Sequence, residues 1–172
     1  MSFIRRKYIE RQHWEQSVLQ TLKTLFKNAK VKKDPSDQDL KLAAATLMFE
    51  VVRSDGRIDQ VELIYMGEIL RREFKLSENE LDELFKLAKD TANEATSLQG
   101  FTRDICNNWG NPKRMKLLEY LWMLALADDQ IDPHERHLVR KVAGLLYLNE
   151  AQILESREQA KRELGISKTN KS

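Results

Sequence analysis

Only one cysteine, Cys106, stands among the 172 residues, so no disulfide can close within the chain. A reducing compartment suits such a sequence, and the apolar neighbours Phe101 and Ile105 mark Cys106 as a packed thiol rather than a nucleophile. Proline and glycine are scarce too, at three and six, whereas β-architectures usually spend more of both on turns. Long apolar runs are missing. The opening Met-Ser-Phe-Ile-Arg-Arg-Lys is not followed by the apolar core of about 7–15 residues that a signal peptide needs. The longest apolar stretch, residues 115–127, is broken by Lys116 and Glu119 and is too short to cross a bilayer. A cytoplasmic protein is expected. No Gly-rich phosphate loop, serine elbow or Cys/His pair appears, and no residue set divides acid, base and nucleophile roles, so no enzyme is expected.

What is present is helical. Apolar residues make up 41% and charged residues 33%, a balance that favours a packed core over disorder, and Leu, Lys, Glu and Ala dominate. The net charge of +2 hides a division. Residues 1–33 hold nine Lys/Arg against Glu10 and Glu15, a net +7, which leaves the rest of the chain at −5. A basic arm on an acidic body calls for an anionic partner, and the body itself or an anionic lipid surface would serve. Within the arm Trp14, Val18, Leu22, Leu25, Phe26 and Ala29 fall three and four apart, one face of an amphipathic helix. Its apolar stripe is expected to be covered by the acidic body, by another copy of the chain, or by a membrane.

The run Lys30 to Lys33 and Asp34-Pro35 end that helix, since a residue before proline avoids helical geometry. This divides the chain into a basic arm, 1–33, and a helical domain, 34–172. Ser36 can cap the next helix, which carries Leu40, Ala43, Leu47, Met48 and Val51 and stops at Ser54-Asp55-Gly56. Further helices are expected from Asp59, from Ser77 (with Glu80 completing a capping box) and over about 96–107. Asn111 caps the next, with Pro112 at its first position, and two more run from Pro133 and from Asn149, the last closed by Gly165. The fold class is therefore all-α, a bundle of seven to eight helices.

A shift of 73 residues lays Asp55-Gly56-Arg57-Ile58-Asp59-Gln60-Val61-Glu62 on Asp128-Asp129-Gln130-Ile131-Asp132-Pro133-His134-Glu135. The pattern D-x-x-I-D-x-x-E occurs in both, with Met48, Val51, Met66 and Ile69 meeting Leu121, Leu124, Val139 and Val142 in the same helical phase. A unit of helix, acidic turn, helix and helix is thus read twice, over about 36–92 and 111–163. With the flanks Leu121-Trp122-x-x-Ala125 and His137-Leu138-Val139-Arg140, the doubled motif resembles the tellurite-resistance TerB-like domain family over about residues 36–163. In the second copy Asp129 stands where that family usually has glycine. The resemblance implies a compact helical bundle with an acidic patch suspected of binding metal ions. It also implies links to stress response and membrane-associated complexes, and no catalysis.

The acidic motif supports two readings. Asp59 and Asp132 sit where N-caps belong, Glu62 and Glu135 follow three residues later as in a capping box, and Ile58 and Ile131 would be buried anchors of the turns. Alternatively Asp55, Asp59 and Glu62, with Asp128, Asp129, Asp132 and Glu135, hold calcium or a transition ion. The spacing matches the second half of an EF-hand loop, but Val51 and Arg53 occupy the first ligand positions, and calcium takes about six to eight oxygens. His134 and His137 do not make the H-E-x-x-H zinc pattern and read as solvated. Trp109 and Trp122 read as core, and the acidic body argues against nucleic acid. The function expected is an interaction module that recruits a protein partner through its acidic surface. The alternative is a membrane-surface adaptor using the basic arm at the inner face of the membrane.

Overall fold

The computed structural model describes residues 34–127 and 131–166. Among them are seven helices and no strand. They are α1 (Asp37–Val52), α2 (Gln60–Phe74), α3 (Glu78–Glu94), α4 (Gln99–Asn108), α5 (Asn111–Ala125), α6 (Pro133–Leu145) and α7 (Glu150–Glu163). The expected amphipathic helix at 14–29, and with it Trp14, lies outside the described residues, as does the tail beyond Ile166.

Two of these helices are central. Eleven of the sixteen residues of α1 are buried, and α5 is buried without a break from Leu117 to Ala125. A helix apolar on every side belongs inside a bundle, whereas one with a single apolar stripe belongs at its edge. So α1 packs against α2, α3, α4, α5 and α6, and α5 packs against α6 and α7. The triplet Ala43-Ala44-Ala45, fully packed, lets neighbouring backbones come close to α1. Trp122, Leu118, Leu121 and Leu124 fill the space around α5, and Trp109 is buried with them. Two polar side chains that enter this core bring partners: Thr46 donates to the Leu42 carbonyl at 2.7 Å, and Glu119 pairs with Lys116 at 2.8 Å. Cys106 is half-buried, its thiol directed at the Leu145 carbonyl 3.6 Å away, which suits a packed side chain.

Helix ends follow the sequence closely. Ser36, Ser77 and Asn149 each form a reciprocal capping box, with Asp39, Glu80 and Gln152 respectively. The hydrogen bonds from Ser77 hold the Glu80 carboxyl below its usual range, and the Lys41 ammonium does the same for Asp37. At 110–112 the outcome differs from expectation. Gly110, not Asn111, is the N-cap of α5, and Pro112 sits one place further into the first turn. An extended Gly110 leads directly into Asn111, whose backbone is already helical, and the proline costs nothing there because first-turn N–H groups have no helical acceptor.

The helix starts follow at close to the spacing of the motif: α1, α2 and α3 begin 74, 73 and 72 residues before α5, α6 and α7. Met48, Val51, Met66 and Ile69 are buried, and so are Leu121, Leu124, Val139 and Val142. The ends of α2 and α6 agree in a detail no residue type announces. Lys75 (φ +51°) and Tyr147 (φ +55°) take the left-handed conformation. In each case the following N–H reaches back five residues, Leu76 to the Arg71 carbonyl and Leu148 to that of Ala143, both at 3.1 Å. Both Lys75 and Tyr147 do so without being glycine, at a cost of roughly 1 kcal/mol each.

Candidate functional site at the acidic turns

The first acidic turn joins α1 to α2. Gly56 takes the left-handed conformation (φ +80°) and its N–H closes on the Arg53 carbonyl at 3.0 Å, which reverses the chain. Arg53 is clamped by Glu50 at 2.7 Å and reaches across to α3, where it donates to the Ala92 carbonyl at 2.7 Å and Asn93 Oδ1 at 2.8 Å. The turn is thereby tied to a second helix as well as to its own chain. The Asp55 carboxylate accepts from the Arg57 N–H at 2.7 Å, and that of Asp59 from the Val61 N–H at 2.6 Å. Both acids remain exposed.

The second turn is described from Ile131 onward. Asp132, extended at its backbone, caps α6 by accepting from the His134 N–H at 2.7 Å, with Pro133 at the first helical position. Asp59 and Asp132 therefore do the same work at the same place. Each binds the second helical N–H rather than the third, so neither forms the reciprocal box expected from the motif spacing. Glu62 and Glu135, at the third position, are turned inward and buried in both turns, at 5% and 3% exposure. Asp128 and Asp129 lie outside the described residues.

The two isoleucines of the motif differ: Ile131 packs against the core, and Ile58 departs from expectation. Ile58 is 48% exposed and Ile131 only partly buried, so the first is no anchor of its turn. The physical reason lies in the helix phase. The inward position of the first turn of α2 belongs to Glu62, followed by Met66 and Ile69, and the extended approach through Arg57 and Ile58 stays on the outside. Val61 (45%) and Ile64 (61%) continue that outer face. At the matching positions of α6 stand His134 and His137, both exposed. The two turns thus share their caps and buried glutamates but not their surroundings: apolar on the first, imidazole on the second. Sequence reasoning missed this apolar face because Val61 and Ile64 are separated by three, the spacing of a core stripe as much as of an exposed one.

Among the described residues no three His, Cys, Asp or Glu side chains are placed to hold a metal ion together. Asp55, Asp59 and Glu62 are neighbours in sequence, but two of them are engaged by backbone N–H groups and the third is turned into the core. Their chemistry as arranged is that of hydrogen-bond acceptors and surface charge.

A family model described as Tellurite resistance protein TerB matches residues 41–158, which include α2 to α6 whole and most of α1 and α7. The chain belongs to the TerB family. No curated protein matches it. Among solved structures, this TerB-family chain is similar to a protein of unknown function from Porphyromonas gingivalis W83, at 21% identity and a TM-score of 0.55. The match covers 76% of this chain and 98% of that one, and it shows a shared fold. Both acidic turns fall inside the TerB match, whereas the basic arm, 1–33, falls outside it. No described helix is long and apolar enough to cross a membrane.

Proposed function

We propose that this TerB-family chain is a non-catalytic interaction module whose first acidic turn, with the apolar face beside it, receives a basic protein partner. The observation that carries the reading is the exposure of Ile58, Val61 and Ile64 next to the carboxylates of Asp55 and Asp59. Apolar side chains grouped on a surface are a cost in water that a partner removes, and ordered acids beside them select for a basic one. The clamp from Arg53 to α3 supports this, because a surface that is rigid beforehand loses less entropy on binding.

A divalent cation belongs to the same reading as a bridging element. Asp55 and Asp59, and in the second turn Asp128, Asp129 and Asp132, would supply carboxylate oxygens, with calcium or a transition ion as the candidates, whereas Glu62 and Glu135 are buried and would take no part. The basic arm, 1–33, is read as a separate element suited to an anionic surface, either protein or lipid, so that the module acts in the cytoplasm and at the inner face of the membrane in stress or envelope-associated complexes. The duplicated unit supplies the frame: one turn with apolar surroundings, one with histidines.

The test is co-purification from cells of the source at native expression, comparing wild type with Asp55→Asn/Asp59→Asn and with Ile58→Ser/Ile64→Ser. A basic partner retained by the wild type and lost from both variants supports the reading. Identical captured sets from all three, with each variant folded by circular dichroism, refute it. Calorimetric titration of calcium, zinc and manganese into the wild type and Asp59→Asn/Asp132→Asn decides the cation: heat common to both proteins excludes the turns.

A further inference from the structure

The outer side of α2 changes in chemistry along its length. Val61, Ile64, Glu68 and Arg71 follow one another three, four and three residues apart, so they share one stripe of the helix, and all four are exposed. The first half of the stripe is apolar. Its second half is charged, with Arg72 and Lys75 also exposed near Arg71. Ahead of the stripe stand Asp55 and Asp59, with Arg57 between them. The Asp59 carboxylate lies against the first apolar residue, 2.6 Å from the Val61 N–H. Asp55 and Asp59 each use Oδ1 for a backbone N–H, which leaves Oδ2 for a donor from outside. From Asp59 to Arg71 the axis runs about 18 Å, so acids, an apolar stretch and bases succeed one another over a little more than three turns.

We infer, on the reading proposed for the first acidic turn, that the partner presents an amphipathic helix that lies antiparallel to α2, with bases in its last turn and acids in its first. The surface itself selects a helix. The N–H and C=O groups of α2 are bonded within it, so an extended segment finds no edge to lengthen. A proline-rich segment needs a groove lined by aromatic rings, and Ile58, Val61 and Ile64 are aliphatic. A second helix needs neither, because its own apolar residues three and four apart fill the spaces between those side chains. Charge sets the direction. Bases in the partner's last turn meet Asp55 and Asp59, acids in its first turn meet Arg71 and Arg72, and the two helix dipoles oppose. A parallel helix with its acids first would set like charge against like. A second copy of α2 fits less well. The two-fold axis that pairs Asp59 with Arg71 sets Val61 against Glu68, and the axis that pairs Val61 with Ile64 moves Asp59 to the level of Met66.

The experiment uses the full chain in cells, with a benzophenone amino acid at Gln60 or at Arg71, two exposed positions on the same side of α2. Mass spectrometry then locates each adduct in the partner's sequence. The two positions are about 16 Å apart along the axis, a span that takes about eleven residues of helix but about five of extended chain. Two adducts are expected in one segment of a protein other than this chain, about eleven residues apart, with the adduct from position 60 on the C-terminal side. In the chain labelled at position 64, Arg71→Glu is expected to lower the adduct yield about fivefold, because an attraction between exposed charges becomes a repulsion of similar size. Arg71→Lys keeps the yield, and circular dichroism confirms that both variants fold. Adducts about five residues apart, adducts in the forward order, or a yield indifferent to Arg71→Glu overturn the antiparallel helix and leave a partner on this face. An adduct with a second copy of the chain overturns it too and assigns the face to self-association. No adduct from position 60, 64 or 71 removes the partner's seat at the first turn, and the helix with it.

Discussion

Replacing Asp59 with alanine isolates what the acidic motif does before any partner arrives. The carboxylate accepts from the Val61 N–H at 2.6 Å, and without it that donor faces water instead. Because the cap is exposed, water recovers part of the loss, which places the cost near the middle of the usual cap range, about 1 kcal/mol. Asp132→Ala removes the equivalent bond to His134, at 2.7 Å, and should cost about the same. The two caps start different helices and share no partner, so the double variant should lose about 2 kcal/mol, the sum. At roughly 3 °C per kcal/mol for a chain of this size, its melting temperature falls by about 6 °C. Asparagine caps as well as aspartate, so Asp59→Asn should stay within a few tenths of a kcal/mol of wild type. Thermal and urea unfolding in EDTA measure all four. If Asp59→Asn costs as much as Asp59→Ala, the charge and not the cap matters; if neither alanine variant moves stability, the cap assignment is wrong.

Other consequences are as direct. Leu121→Ala or Met48→Ala should cost about 2–5 kcal/mol by opening a cavity beside the central helices, whereas Ile58→Ala should stay below about 0.5 kcal/mol in urea unfolding, since Ile58 is exposed. Lys75→Gly and Tyr147→Gly should each raise stability by up to about 1 kcal/mol, because glycine takes the left-handed conformation without strain; a loss in both would contradict the cap geometry. Burial, and then the hydrogen bond to Glu73, push the Tyr120 hydroxyl above its usual value of about 10. The neutral phenol is the form the fold favours, so its contribution is complete below about pH 10 and drains away as the pH rises further. Tyr120→Phe should therefore be less stable than wild type at neutral pH but lose less between about pH 9 and 11, read by urea midpoints. Equal alkaline slopes in the two proteins would remove Tyr120 as the cause.

How much of this was legible in the sequence depended on whether the signal was local. Ser36, Ser77 and Asn149 announce their helices because a cap is a contract between residues three apart, and all three boxes form. The central place of α1 and α5 follows from apolar residues on all sides, and the paired core positions follow from helical phase. Ile58 was misplaced because an isoleucine before an N-cap often packs back on the helix, and only the three-dimensional phase of α2 shows Glu62 occupying the inward side. Lys75 and Tyr147 were invisible because glycine or asparagine, the usual signs of a left-handed cap, are absent there.

The central claim, that the apolar and acidic face beside the first turn is a partner's seat, is tested most directly by photo-crosslinking in cells. A benzophenone amino acid is placed at Ile64 or, as a control, at Leu154, an apolar residue of α7 of similar exposure at 57% against 61%. The account predicts a discrete covalent adduct from position 64 that disappears when Asp55 and Asp59 are changed to asparagine, and none from position 154. Matching adducts at both positions, or an adduct at 64 that survives loss of the two acids, would contradict it.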